Sequence, residues 1–345
     1  MEAVEKRINL GKVKASALGI GISLFSIFLI FKITGASISS TLSLLYRCNM
    51  KFIAVAFVLH FLFWILWAVR LKFLSSLIKQ NIDFIYALKT TLASLFLAAI
   101  TPSSAGGEPL RVKMLTRKGA AVGSASAIVL AERVLDSLFF VIALPIFLLI
   151  SRFPVGFGFE AGITFTFVLF LFIAFLYSTL KKPERIRKFS ILIKKFLKKF
   201  ISEEKAENIR NKLENELFSF REALVELVKA PSLYMLFLIF LTSIIWISEF
   251  LVPSAILLAL NEDPVVLLSL TAQLILVIVS LIPLTPGSSG IAEGGMVYLY
   301  SDFVKSYVLG VLVATWRFIT YYTSLIVGFI INILIIKPSI NLNRK

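Results

Sequence analysis

The sequence predicts an all-α polytopic membrane protein: six spans plus two re-entrant broken-helix hairpins, arranged as an inverted-topology repeat. Three observations carry this expectation. The 345-residue chain is 58% hydrophobic and only 16% charged, with a mean hydropathy of +0.91, whereas a soluble domain is about a quarter charged and under half apolar. Its apolar residues are gathered into runs close to the roughly 20 residues a helix needs to cross a hydrocarbon core. Two of those runs break at Pro/Gly/Ser clusters, and the breaks recur at one spacing.

Taken in order, the runs 15–33, 52–69, 134–151, 160–180, 232–252 and 319–336 read as full spans. The first follows Lys6, Arg7, Lys12 and Lys14 in the manner of a signal peptide, but the apolar runs after it favour an uncleaved span. The runs 84–100 and 265–283 differ. Each ends in a break, TPSSAGGEP at 101–109 and TPGSSGIAEGG at 285–295, followed by a short second segment. Pro and Gly clusters stop helices, and backbone freed at membrane depth is tolerated only where protein or a wet cavity covers it. The two segments therefore read as hairpins, 84–118 and 265–301. About eight hydrophobic segments result.

The basic residues orient the chain. Residues 181–230 hold 14 of the 36 Lys and Arg, which puts that segment on the cytoplasmic side. Both termini, with Lys337, Arg344 and Lys345 at one end, read as cytoplasmic too. The count closes only if each hairpin enters and leaves on the same side. The first then opens to the cytoplasm, where Arg111, Lys113, Arg117 and Lys118 lie, and the second opens outside beside Glu262, Asp263 and Asp302. The location expected is the cell membrane.

The hairpins form part of a repeat. Thr101-Pro102 and Thr285-Pro286 are 184 residues apart (285 − 101), Glu108 and Glu293 are 185 apart (293 − 108), and Arg133 and Arg317 are again 184 apart (317 − 133). The same offset carries 52–69 onto 236–253. The division expected is a first repeat at 1–155 and an inverted second repeat at 156–345, with a basic helical insertion at 181–231. Inverted repeats whose broken helices meet near the midplane are the pattern of alternating-access transporters.

Several chemistries are excluded. Cys48 and His60 are the one Cys and the one His, so neither a disulfide framework nor a Cys/His zinc site can form. No Walker or Rossmann glycine pattern occurs, so no cofactor is expected and any driving force is a gradient or a concentration difference. The polar stretch 181–231 is too short for an appended catalytic domain. The net charge of +16 points to anionic headgroups rather than nucleic acid.

The segments TPSSAGGEPLRVKML, AERVLD, IPLTPGSSGIAEGG and WRFITYY resemble those of the lysylphosphatidylglycerol synthase transmembrane family, also called uncharacterised protein family 0104. The resemblance covers nearly the whole chain. It implies movement of lipids between leaflets, aminoacylated phosphatidylglycerol or glycosylated polyprenyl lipids among them. It also implies the translocating part of such proteins without the soluble aminoacyl-transferase domain of the larger synthases.

Glu108, Glu132, Arg133, Asp136, Glu249, Glu293 and Arg317 lie in or beside apolar runs. A charge at the bilayer centre costs roughly 2.5–3.5 kcal/mol, so these groups must pair or line an aqueous cavity. Arg133 and Arg317 suit a lipid phosphate, or they neutralise Glu108 and Glu293 and lock each hairpin to its long helix. The breaks, with Ser103, Ser104, Gly106 and Gly107 in one and Ser288 and Ser289 in the other, offer helix N–H groups to an anion, unless Glu108 and Glu293 cap them. The glycines, Gly294 and Gly295 included, also permit close helix packing. Arg111 and Tyr321 complete the candidate substrate-binding set, and no catalytic residue is assigned. His60 reads as a packed histidine, with a proton relay as the alternative. Tyr298, Tyr300, Tyr321 and Tyr322 fit an interfacial belt. Residues 184–201, with Ile186, Phe189, Ile193, Phe196, Leu197 and Phe200 on one side, read as a basic amphipathic helix on anionic lipid or as a solvated loop. A second helix at about 203–229 packs on it or serves a partner.

The leading functional expectation is a lipid translocase acting on an anionic, aminoacylated or polyprenyl-phosphate-linked lipid. A membrane-embedded headgroup transferase and an ion-coupled small-solute transporter are the alternatives. Membrane lipids are the expected partners, with a second copy or a lipid-modifying enzyme as further candidates.

Overall fold

The computed structural model describes residues 46–101, 106–153, 183–198, 200–281 and 285–342, with isolated positions between 21 and 44 and between 162 and 174. The spans expected at 15–33 and 160–180 lie largely outside these residues. Every element among those described is a helix. In the first half these are α1 (Met50–Leu77), α2 (Phe84–Ala99), α3 (Gly107–Arg117) and α4 (Val122–Ser151). Then come α5 (Pro183–Leu197) and α6 (Glu203–Val228). The second half has α7 (Ser232–Phe250), α8 (Val252–Ala259), α9 (Val266–Ser280), α10 (Ile291–Tyr300) and α11 (Ser306–Arg317), followed by a π turn at Phe318–Tyr322 and α12 (Thr323–Leu342).

Polar side chains set where helices begin. Asn49 Oδ1 accepts from the Lys51 N–H (3.1 Å) and Asp83 Oδ1 from the Tyr86 N–H (2.8 Å), each satisfying a donor that the first turn leaves without a partner. Pro253 stands in the first turn of α8, where its missing N–H costs nothing.

Among the described residues, four stretches are long and apolar enough to cross a membrane: Met50–Leu77 and Ser232–Ala259, of 28 residues each, and Val122–Ser151 and Ser306–Ile335, of 30 each. The short apolar helices α2 and α9 stand at matching places between them. The packing is reciprocal as well. α2 of the first half lies against α12 of the second, α9 of the second lies against α4 of the first, and α1 runs along both α7 and α8. The spans are longer than hydropathy suggested. Arg70 stands just past the apolar run 52–69, yet it is buried, because carboxylates from a neighbouring helix meet it.

The insertion is not a solvated loop. Ala223, Leu224 and Leu227 of α6 share a core cluster with Leu71 and Leu74 of α1 and Ile128 of α4. The Gly123 N–H donates to Glu216 Oε2 at 2.7 Å. α5 rests on α6 through the buried Ile186 and Ser190, the latter donating to Glu214 Oε2 at 2.8 Å. Lys194 also pairs with Glu207. The apolar face expected as one stripe is therefore divided: Ile186 turns to α6, while Phe189, Phe196 and Phe200 face outward. Outside the spans, the ammonium groups of Lys198 and Lys194 hold the Glu203 and Glu207 carboxyls below the usual carboxylate range.

At Gly123 the backbones of α4 and α6 are in close contact, and a Cβ there would run into the Glu216 carbonyl. Gly123→Ala should therefore destabilise the detergent-solubilised protein by about 1–3 kcal/mol in thermal unfolding. Gly294→Ala, where nothing lies within 4 Å, should change it by no more than about 0.5 kcal/mol.

Candidate functional site

The site grows from one face of α1. His60, Phe63, Trp64, Trp67, Leu71 and Leu74 recur at helical spacing and are all buried, and Arg70 falls on the same stripe. Trp67 is its centre. The guanidinium carbons of Arg111, Arg133 and Arg70 lie 4.8, 5.4 and 5.6 Å from its indole ring centroid, and its Nε1–H donates to Glu132 Oε1 at 2.8 Å. An indole face is attractive to cations. Here it gathers three of them in an interior where each needs a counter-charge.

The counter-charges come from α4 and α3. Arg70 Nη1 donates to Asp136 Oδ1 at 2.6 Å and to Thr242 Oγ1 of α7 at 3.1 Å, and its Nε is 3.7 Å from Glu132. Arg111 Nη1 donates to Glu132 Oε2 at 2.6 Å. Trp246 of α7 donates to Asp136 Oδ1 at 2.9 Å. Arg133 stands 3.4 Å from both Glu108 and Asp136. Taking such ions from water is tolerable only with close pairing and further hydrogen bonds, and this cluster has both.

The second half carries a simpler pair. Arg317 Nε is 2.9 Å from Glu293 Oε1, and Glu293 Oε2 accepts from the Gly290 N–H at 2.5 Å. One carboxylate thus caps α10 and neutralises the arginine. The amides of Gly287, Ser288, Ser289 and Gly290 all donate within the protein, so the capping alternative describes this break rather than amides left free for an anion. The pairs Arg133/Glu108 and Arg317/Glu293, matched by spacing, differ in solvent access: their side chains are 33% and 46% exposed in the first and 6% and 0% in the second.

The hairpin tips touch. The Gly287 N–H donates to the Thr101 carbonyl at 3.2 Å, and Tyr321 Oη donates to the Ala99 carbonyl at 3.1 Å. Gly287 has φ +57°, and a Cβ there would meet both Ala99 and Tyr321. Beside the tips lies a cavity of about 470 Å³ walled by both halves. Arg111, Arg133, Arg317, Glu108, Glu249 and His60 bring charge or titratable groups to it, and Trp67, Trp246, Gln273 and Ser288 complete much of the wall.

Of the expected residues, Glu108, Arg111, Arg133, Ser288 and Arg317 line this cavity. Glu293 lies behind Arg317, Ser289 is buried, and Tyr321 bridges to the first hairpin. Gly106 donates its N–H to Thr101 Oγ1 (2.8 Å) and Gly107 packs on the Ser94 carbonyl. Ser103 and Ser104 lie outside the described residues. Tyr300 does not join an interfacial belt: it is fully buried, with its hydroxyl on Ser269 and Gln273. Burial pins Arg70, Trp67 and Gln273 into the site and a hydrogen bond to Asp136 places Trp246; none of them was singled out from sequence. The signal for Arg70 was its place on the α1 aromatic stripe.

Arg70→Met leaves the buried Glu132 and Asp136 short of one counter-charge. It should cost about 3–5 kcal/mol, seen as loss of monodisperse protein on size exclusion. Arg133→Met, at a one-third exposed side chain, should be tolerated far better.

The family described as "Lysylphosphatidylglycerol synthase TM region" matches residues 16–328. A "UPF0104 membrane protein" of Archaeoglobus fulgidus is 46% identical over 95% of this chain and 99% of its own length. The "UPF0104 membrane protein MJ1595" of Methanocaldococcus jannaschii is 25% identical over 96% and 98%, and the "UPF0104 membrane protein PH1989" of Pyrococcus horikoshii is 26% identical over 75% and 79%. This helical chain, with its arginine cluster between two hairpins, belongs to the lysylphosphatidylglycerol synthase transmembrane family.

Proposed function

We propose that the protein moves an anionic lipid, aminoacylated or polyprenyl-phosphate-linked, between the leaflets of the cell membrane by alternating access. The observation that carries this reading is the cavity shared by the two halves, with Arg111, Arg133 and Arg317 on its wall and the hairpin tips in contact beside it. Planar guanidinium groups suit bidentate capture of a phosphate. The aromatic walls, Trp67, Trp246 and Trp316, suit the glycerol or sugar beyond it.

In this reading residues 1–155 and 156–345 are inverted repeats. The recurrence of 28- and 30-residue spans and the reciprocal packing of α2 on α12 and α9 on α4 support it. The basic insertion and both termini face the cytoplasm. A headgroup phosphate exchanges for Glu108 on Arg133 or for Glu293 on Arg317, so the arginines remain neutralised throughout. Because Arg133 is the more exposed of the two, the first hairpin is the side from which the headgroup enters in the conformation described.

Reconstituted into proteoliposomes, the protein should accelerate leaflet exchange of anionic lipids over zwitterionic ones. Arg317→Met should slow exchange by roughly 10–100-fold, as loss of a charge-assisted hydrogen bond of about 1.5–3 kcal/mol requires. Equal exchange with and without protein across several anionic lipids would overturn the reading.

A further inference from the structure

Five carboxylates lie on or just behind the cavity wall: Glu108, Glu132, Asp136, Glu249 and Glu293. Four arginines lie among them, and each is within 4 Å of one or two of Glu108, Glu132, Asp136 and Glu293. Glu249 is the carboxylate outside this set. Its partner in the structure is His60, with Nδ1 2.8 Å from Oε2. With four arginines against five carboxylates the cluster carries a charge of −1. It becomes neutral when His60 and Glu249 together hold one more proton. A net charge in a low-dielectric interior is costly, and one further proton on the pair removes it.

Hydrogen-bond direction leads independently to the same proton. Ser324 Oγ donates to the Thr320 carbonyl at 2.6 Å, which commits the hydroxyl hydrogen. Its contact with His60 Nε2 (3.1 Å) then requires Nε2 to be the donor. The other ring nitrogen faces a carboxylate oxygen. In neutral imidazole only one nitrogen carries hydrogen, so the Nδ1 contact would set two lone pairs against each other. It becomes a hydrogen bond when a proton lies between them, on Nδ1 as imidazolium or on Glu249 as acid.

We propose that His60 and Glu249 form a proton-binding site on the cavity wall, and that its occupancy is thermodynamically linked to binding of an anionic headgroup in the same cavity. The nature of the headgroup rests on the function proposed above; the proton site does not. The pair joins α1 of the first half to α7 of the second, with Ser324 of α12 behind it. Other charged groups on the wall are Arg317 from α11, Glu108 and Arg111 from α3, and Arg133 from α4, while α2 and α9 present Leu95, Ala98 and Gln273. With the proton absent, the negative cluster opposes an incoming anion. With it bound, the cluster is neutral and the arginines are free to exchange partners. By reciprocity the anion must raise the affinity for the proton by the same factor. A lipid phosphate and a proton therefore enter together, and a pH gradient becomes a source of directed movement.

Two measurements on the full-length protein in detergent test this. First, infrared difference spectra between about pH 5 and about pH 8, the range where histidine changes charge, are recorded without lipid. The wild type should show a carboxyl–imidazole transition that both E249Q and H60Q lose. E249Q is isosteric with the protonated acid, so at least one variant should keep the fold, as thermal unfolding will report. No such transition in the wild type overturns the proton site. Second, short-chain phosphatidylglycerol, whose charge is constant over this range, is titrated calorimetrically in buffers of different ionisation enthalpy. Above the transition the affinity should fall by up to about tenfold per pH unit, with up to one proton taken up per lipid bound. E249Q should flatten that profile and abolish uptake. Binding of wild type that is independent of pH and without proton uptake overturns the linkage. A pair that titrates in a protein binding no anionic lipid at any pH overturns both the linkage and the lipid reading while leaving the proton site standing.

Discussion

A charge inside a membrane protein must have a counter-charge within reach, and this constraint fixes the centre of the fold. Arg70 is completely buried on α1, and its neutralisation by Asp136 and Glu132 ties α1 to α4. Glu132 in turn holds Arg111, which fixes α3 and so closes the first hairpin against the same helix. Thr242 and Trp246 bring α7 of the second half onto the group. Generic apolar packing would let these helices slide or rotate at small cost, since lipid and neighbouring side chains are similarly apolar. The ion pairs have one register, because any other strands a charge.

The two hairpins use related chemistry with unequal tightness. In the second, Glu293 serves helix cap and arginine at once and is sealed from solvent. In the first, Arg133 divides itself between Glu108 and Asp136 at longer range and remains partly exposed. These two arrangements of an Arg/Glu pair within one chain are the asymmetry on which the proposed alternating access rests. The contact between Gly287 and Thr101 joins the two hairpins directly. Gly287 is suited to it because its left-handed backbone and the closeness of Ala99 leave no room for a side chain.

Much of this was legible in the residues. The Pro/Gly breaks located both helical hairpins to within a few residues of α2–α3 and α9–α10, and the 184-residue spacing of Thr101/Thr285 and Arg133/Arg317 is the ground for proposing a repeat. The pairings of Arg133 with Glu108 and Arg317 with Glu293 were readable as one of two alternatives, because equal offsets put each acid and base on adjoining segments. Arg70 was not, since a hydropathy run ends at a charge whether that charge meets water or a buried carboxylate. His60 was equally opaque: its partners are 189 and 264 residues away, and nothing local marks them.

The sequence by itself therefore determined that the chain is a helical membrane protein with two broken segments and with arginines and glutamates in or beside its apolar runs. Composition and spacing suffice for that, because the cost of polar groups in hydrocarbon acts on each segment separately. The tertiary structure decided which charge answers which: that Trp67 gathers three arginines, that Glu132 and Asp136 are shared, and that Glu249 is left to His60. These are distances between helices far apart in the chain. Coulombic and hydrogen-bond energies in a dry interior depend on such distances, and sequence separation does not encode them.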